Sequence, residues 1–149
     1  MFVVVFIGQK YVDNPLTVLR KLEPPIRNLI AEHGQVDFLV DKSEFGQCAA
    51  TAVRRVRKEF DCGSARLTLL LSCNPMFFCS SPWHLASYYD KTEVDLQAFL
   101  QDGDSKMTER QLNAIDRANA VVYYFLRRIE KDVELINYIE NSGKQLIRI

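Results

Sequence analysis

Nowhere in its 149 residues does this sequence come close to the run of about twenty apolar side chains that a membrane-spanning helix needs. Its apolar opening, Met1 to Ile7, gives way to polar Gly8-Gln9-Lys10 after only seven residues, too few for the core of a secretory signal. A cytoplasmic protein with no membrane partner is therefore expected. An excess of one charge is missing too, since 19 Lys and Arg balance 19 Asp and Glu. Without net positive charge no broad face attracts a polyphosphate backbone, so nucleic acid is not an expected partner. Six glycines and five prolines are too few for a collagen-like or low-complexity chain. The four cysteines, Cys48, Cys62, Cys73 and Cys79, contain no C-x-x-C pair. A chain that is 48% hydrophobic builds a core without disulfide staples, so packed thiols in a reducing compartment are expected. Cys73, Cys79 and His84 form a run with no zinc-site spacing, and no metal or other cofactor is expected.

What the sequence does contain is an alternation of apolar runs with helical patterns. Phe2–Ile7, Val36–Val40, Arg66–Ser72 and Ala120–Phe125 are short and rich in β-branched, leucine or aromatic residues. Such continuous runs suit strands buried on both faces, as in parallel sheets. Gln145–Ile149 alternates instead, which predicts an edge strand. Leu19, Leu22, Ile26, Leu29 and Ile30 recur at helical spacing up to His33-Gly34, with Pro24-Pro25 expected to interrupt or restart the helix. A second helix is predicted from about Glu44 to Phe60, with Cys48, Ala49, Ala52, Val53, Val56 and Phe60 inward and Arg54, Arg55, Arg57, Lys58 and Glu59 outward. A third begins near Thr108, a possible cap, and runs to Arg117 or Ala118. The fourth spans about Ile129 to Asn141, with Ile129, Val133, Ile136 and Ile139 on one face.

These elements predict one α/β domain over residues 1–149, a three-layer, doubly wound, Rossmann-like fold with a mostly parallel five-stranded sheet. The expected strand order, counted along the chain, is 3-2-1-4-5. A long irregular insert is expected at about residues 73–104, with an acidic and helical character from Thr92 to Leu100. Ligands in such sheets bind beyond the carboxyl ends of the strands. That directs attention to Gly8-Gln9-Lys10, Asp41-Lys42-Ser43, Ser72-Cys73-Asn74 and Leu126-Arg127-Arg128.

Several of these segments resemble a known family. Ile7-Gly8-Gln9-Lys10 is similar to the strand-end Gly-His-Arg motif of YpsA-like proteins, Rossmann-type members of the SLOG superfamily. Leu22, Ile26, Leu29 and Gly34 follow the family's first helix, and Phe38-Leu-Val40 with Phe45-Gly46 resembles its second strand and glycine-and-aromatic turn. Tyr88-Tyr89-Asp90, Arg110, Asp116–Tyr124 and Lys144–Ile149 are similar to later family elements. The resemblance spans nearly the whole chain, mostly through hydrophobic patterning, and implies a nucleotide-binding module. The departures are specific. Gln9-Lys10 stands for His-Arg, Gln111 for the Asn of an Arg-Asn pair, and Leu126-Arg127-Arg128-Ile129 for a glycine-rich turn. Side chains in that turn keep backbone amides from a phosphate, so the usual cradle is not expected. The Pro-Gly-Gly-x-Gly-Thr signature of phosphoribohydrolases is absent, and that activity is not implied.

The candidate ligand residues follow from position and charge. Gly8, Gln9 and Lys10 end the first strand and Lys42 follows the second; Arg110, Arg127 and Arg128 offer guanidinium forks to an anion. Trp83 and Tyr88, with Phe77, Phe78 and Tyr89, supply aromatic faces for a base, a partner interface or a satellite core. No catalytic set is evident, because Cys73 has no nearby base other than His84. Two functions are expected from different classes: a module binding a nucleotide or nucleotide derivative, or a degenerate scaffold working through protein–protein contact or self-association as a homo-oligomer.

Overall fold

Each of the five apolar runs is a strand. The computed structural model describes residues 1–9, 11–71, 88–94, 105–125 and 130–149, with the side chains of residues 94, 105–110 and 130–132 outside that description. The strands are β1 (Phe2–Gly8), β2 (Val36–Val40), β3 (Ala65–Leu71), β4 (Lys91–Val94), β5 (Ala120–Tyr124) and β6 (Gln145–Arg148). They form one sheet in the order β4-β3-β2-β1-β5-β6, and every neighbouring pair is parallel. The predicted order is present as β3-β2-β1-β5-β6, in a Rossmann-like α/β fold. The expected count of five is corrected to six by β4 on the outer edge of β3.

Strand β4 occupies the start of the stretch expected to be helical. Lys91, Thr92, Glu93 and Val94 alternate charged and β-branched side chains, a period-two pattern that suits a short edge strand better than a helix.

Four helices fill the two outer layers: α1 (Pro15–His33), α2 (Glu44–Val56, continued by a 3-10 turn at Arg57–Glu59), α3 (Ser105–Arg117) and α4 (Glu130–Glu140). Alternate strand side chains separate two cores. Val4, Phe6, Phe38, Val40, Leu67 and Leu69 pack with α1 and α2. Val5, Ile7, Leu39 and Val121 pack with Ala114 and Ile115 of α3 and with Leu135, Ile136 and Ile139 of α4. All five residues of β2 are buried, which is why its run is continuously apolar apart from Asp37. None of the described helices is long and apolar enough to cross a membrane.

Three helix expectations are corrected. Pro24 and Pro25 lie inside an unbroken α1. The carbonyls they leave without amide partners belong to Arg20 and Lys21, exposed residues whose backbone water can satisfy. Helix α3 starts at Ser105, so Thr108 lies within it and is not its cap. In α4 the buried arc is Leu135, Ile136 and Ile139, and Val133 falls to one side of it, exposed.

The arginines on the outer side of α2 fasten neighbouring elements. Arg55 faces Glu23 of α1, and Arg27 of α1 reaches Glu59. Arg57 pairs with Asp90, whose carboxylate also accepts from the Leu67 amide at 2.8 Å. On the other face of the sheet, buried Asp37 accepts from Thr68 Oγ1 at 2.7 Å and from Arg66 at 2.6 Å. A carboxylate buried without such partners would carry a large desolvation cost.

Glu93 ties β4 to the end of α3. It accepts two hydrogen bonds from Arg117 and pairs with Lys91 at 2.9 Å. The Arg117 bonds, helped by Lys91, hold its carboxyl at about 2. A carboxyl depressed on folding contributes stability that is complete above its unfolded value and is lost as pH falls through the folded one. The stability advantage of the native chain over Glu93→Gln is therefore expected to be on the order of 1–2 kcal/mol at neutral pH, discounted for the exposed partners. Urea unfolding at a series of pH values is expected to show it shrinking from about pH 4.5 towards pH 2. Parallel profiles for the two proteins would contradict this.

Candidate functional site

A fully parallel sheet puts every strand's carboxyl end on one edge. Chain connections leave β1 towards α1 on one face and β5 towards α4 on the other, so the β1–β5 junction is the switch point where such sheets hold ligands. Gly8 pairs with Tyr124 there, and the Gln9 amide donates to the Tyr124 carbonyl at 3.1 Å, extending the ladder one step past β1.

The floor of this crest is aromatic. Phe45, fully buried in the first turn of α2, lies against the Gly8 backbone, where any Cβ would overlap its ring and meet Cγ at 2.6 Å. The ring also stacks on Tyr124, with centroids 5.6 Å apart and planes 17° from parallel, and turns its edge to Phe6. Glycine is required at residue 8 because helix and strand approach too closely for a side chain.

The rim holds polar groups whose bonds are largely internal. Asp41 Oδ1 accepts from the Ser43 amide at 3.0 Å and from its hydroxyl at 2.5 Å. Ser43 Oγ caps α2 by accepting from the Gly46 amide at 3.0 Å. Gly46 sits so close to Asp41 that a Cβ would overlap the Asp41 carbonyl, meeting its carbon at 2.9 Å. Gln47 donates to the Lys42 carbonyl at 3.1 Å. Across the crest, Glu44 Oε2 accepts from the Val12 amide at 2.5 Å, binding the β1–α1 loop to α2. Asn14 caps α1 by accepting from the Thr17 amide. A side-chain oxygen of the chain itself thus holds one N-terminal amide in each of α1 and α2, the kind of donor that a phosphate takes at helix N-termini in other nucleotide sites.

Two titratable groups sit beneath this rim. Burial, and then the nearby Glu44 charge, raise the Cys48 thiol, which keeps it protonated and unsuited to nucleophilic attack. Burial raises the Tyr124 phenol too, with smaller contributions from Asp13 and Cys48. Among the described residues no group of three His, Cys, Asp or Glu side chains is placed to hold a metal ion.

The predicted site residues divide accordingly. Gly8, Gln9 and Lys42 lie at the crest. Tyr88 does not join them. Its hydroxyl is 3.0 Å from Thr51 Oγ1, its ring carries the Arg54 guanidinium at 4.2 Å, and its carbonyl accepts from Arg54 at 2.6 Å. It docks the segment before β4 onto the second half of α2. Arg110 belongs to α3, with its side chain outside the described residues. Lys10, Trp83, Arg127 and Arg128 also lie outside them, as do Phe77, Phe78, Cys73, Cys79 and His84. Sequence reasoning did not single out Glu44 or Tyr124 as site residues. The signal for Tyr124 was present, a hydroxyl-bearing aromatic as the last residue of an apolar strand at the switch point. Nothing local marks Glu44, whose partner is 32 residues away in the chain.

A cavity of about 580 Å³ opens on the opposite, amino edge, lined by Phe2, His33, Asp61, Cys62 and Ser64 among others. There the His33 ring stacks on Phe2 with centroids 3.6 Å apart.

Compared with known proteins, the chain matches no family model, no curated protein and no solved structure. The functional reading therefore rests on the chain's own geometry.

Both crest glycines give a direct test. Gly8→Ala is expected to cost about 1–3 kcal/mol of stability by forcing the Phe45 ring out of its stack. Gly46→Ala is expected to cost more, since the obstacle is backbone, even though alanine favours a helix by about 1 kcal/mol. Urea denaturation of the two variants checks the order.

Proposed function

We propose that this chain is a divergent SLOG-like Rossmann module that binds a nucleotide or nucleotide derivative at the carboxyl ends of β1, β2 and β5. The observation that carries the reading is the switch point itself, with a rigid Gly8–Phe45–Tyr124 floor beneath a rim of polar groups. The sequence supplies the cations for an anionic moiety next to both strand ends: Lys10 follows Gly8 by two residues, and Arg127 and Arg128 follow Tyr124. Because the α1 and α2 N-termini are capped internally, phosphate is assigned to those side chains instead of to amides. Lys42 and Gln9 border the same crest.

A second reading, a scaffold for protein–protein contact or self-association, draws on a different observation. Strand β6 is an open parallel edge, with Gln145, Leu146 and Arg148 exposed.

Ligand that binds only the native state raises the melting temperature by mass action. A thermal-shift panel of AMP, ATP, NAD, ADP-ribose and inorganic phosphate, at two salt concentrations, is expected to give a salt-sensitive rise with one nucleotide class. Arg127→Ala is expected to weaken that binding about tenfold, the loss of one charge-assisted hydrogen-bond pair. No shift at millimolar nucleotide would contradict the binding reading and favour the scaffold.

A further inference from the structure

The two edges of the sheet are finished differently. At β4, Lys91 pairs with Glu93 and Arg117 binds the same carboxylate, so charge lines that edge. Among the described residues β6 carries no such guard. Its sequence, Gln145-Leu146-Ile147-Arg148, includes no proline, and the neighbouring Lys144 turns its ammonium back to the Asp116 carbonyl at 3.0 Å. Gln145 and Ile149 donate their amides to the carbonyls of Asn119 and Tyr123, on the β5 side. Backbone groups alternate sides along a strand, so the N–H and C=O of Leu146 and Arg148 face the open side.

Apolar surface lies on both faces of this edge. Ile147 and Ile149 are only partly buried against the core beneath α1 and α2. On the opposite face Leu146 is 37% exposed. Helix α4 lies on that face too, and a turn of about 100° per residue puts Tyr138 and Val133 on opposite flanks of its buried arc. Tyr138 donates to Asp116 of α3, so its flank is turned to α3. Val133, 38% exposed, is therefore on the flank turned to the open edge.

We propose that β6 pairs antiparallel with β6 of a second copy of this chain, about a two-fold axis at Ile147. Side-chain charge selects that register. Of the axes from Leu146 to Arg148, one at Leu146 sets Lys144 against the partner's Arg148, and one at Arg148 sets the two Arg148 side chains against each other. Like charges directly opposite destabilise a strand pair. With the axis at Ile147, Leu146 lies opposite the partner's Arg148 and exchanges N–H···O bonds with it, while the two Ile147 side chains meet at the closer spacing. The aliphatic stem of each Arg148 covers the facing Leu146. The same axis sets both α4 helices on one face. With strands about 4.8 Å apart, helices lying across β5 and β6 of each copy are about 10 Å apart, the spacing of packed helices, and Val133 faces the gap. The inference rests on the self-association reading and specifies its surface; it is independent of nucleotide binding at the crest.

The experiment is sedimentation equilibrium of the full chain over a range of concentrations, joined to amide hydrogen exchange. A species of twice the chain mass is expected, in which the Leu146 and Arg148 amides exchange at least about tenfold more slowly than in the dilute monomer. That readout needs no substitution. Leu146→Lys opposes like charges twice in a two-fold dimer and is expected to weaken it about tenfold. Adding Arg148→Glu to that variant is expected to restore the dimer. Leu146→Glu alone, which meets the partner's Arg148, is expected to hold or tighten it. Leu146 is exposed at an edge, and unchanged circular dichroism checks the fold of each variant. A monomer at every concentration up to about 1 mM would overturn the pairing and the self-association reading together. A dimer that is indifferent to Leu146→Lys, or whose Leu146 and Arg148 amides exchange as fast as in the monomer, would overturn the pairing and leave self-association through another face.

Discussion

The Phe45 ring rests on the Gly8 backbone because residue 8 has no side chain, and this contact joins three elements at one point. It brings the first turn of α2 onto the end of β1, and through the Tyr124 stack it reaches the end of β5. Aromatic burial of this kind is large and directional, so it fixes both distance and orientation. The rim inherits that placement. Ser43 can cap α2, and Glu44 can reach the Val12 amide, only while α2 starts where Phe45 holds it.

The same economy of internal bonds shapes the chemistry of the crest. Helix N-termini carry partial positive charge and unpaired amides, which suits them to anions. Here Asn14 and Ser43 take those roles, and Asp41 and Glu44 place carboxylates alongside. The carboxylates on the β1–β2 side would repel an anionic group there, and under the proposed function that group is met by the basic side chains that the sequence places after Gly8 and Tyr124. Burial and the nearby Glu44 charge keep the Cys48 thiol protonated, which makes it a poor nucleophile.

Much of the architecture was legible in the chain. Val36–Val40 and Ala120–Tyr124 have continuous apolar character because both faces are covered, and Gln145–Arg148 alternates because it lies at an edge. The 3-2-1-4-5 core of the sheet follows from right-handed connections between such strands. What escaped was set by tertiary context. Pro24 and Pro25 look like a helix break until their freed carbonyls are seen to lie on the solvent side. Strand β4 is four residues of mixed polarity, held by the β3 ladder and by Arg117 and Lys91 on Glu93. Tyr88 offers an aromatic face in the sequence, yet Arg54 and Thr51 of α2 already occupy it. Gly8, Gln9 and Lys42 lie at strand ends, which are readable in a sequence even where long-range partners such as Glu44 and Val12 are not.

The central claim is that the carboxyl edge at the β1–β5 junction is the binding surface. Amide chemical-shift mapping by nuclear magnetic resonance, with the tightest-binding nucleotide added stepwise, tests it residue by residue. The account predicts perturbations concentrated at Gly8, Gln9, Asp41 to Gly46 and Tyr124, with Tyr88 and the His33–Cys62 cavity unmoved. Perturbations confined to Phe2, His33 and Asp61 to Ser64 on the amino edge would contradict it.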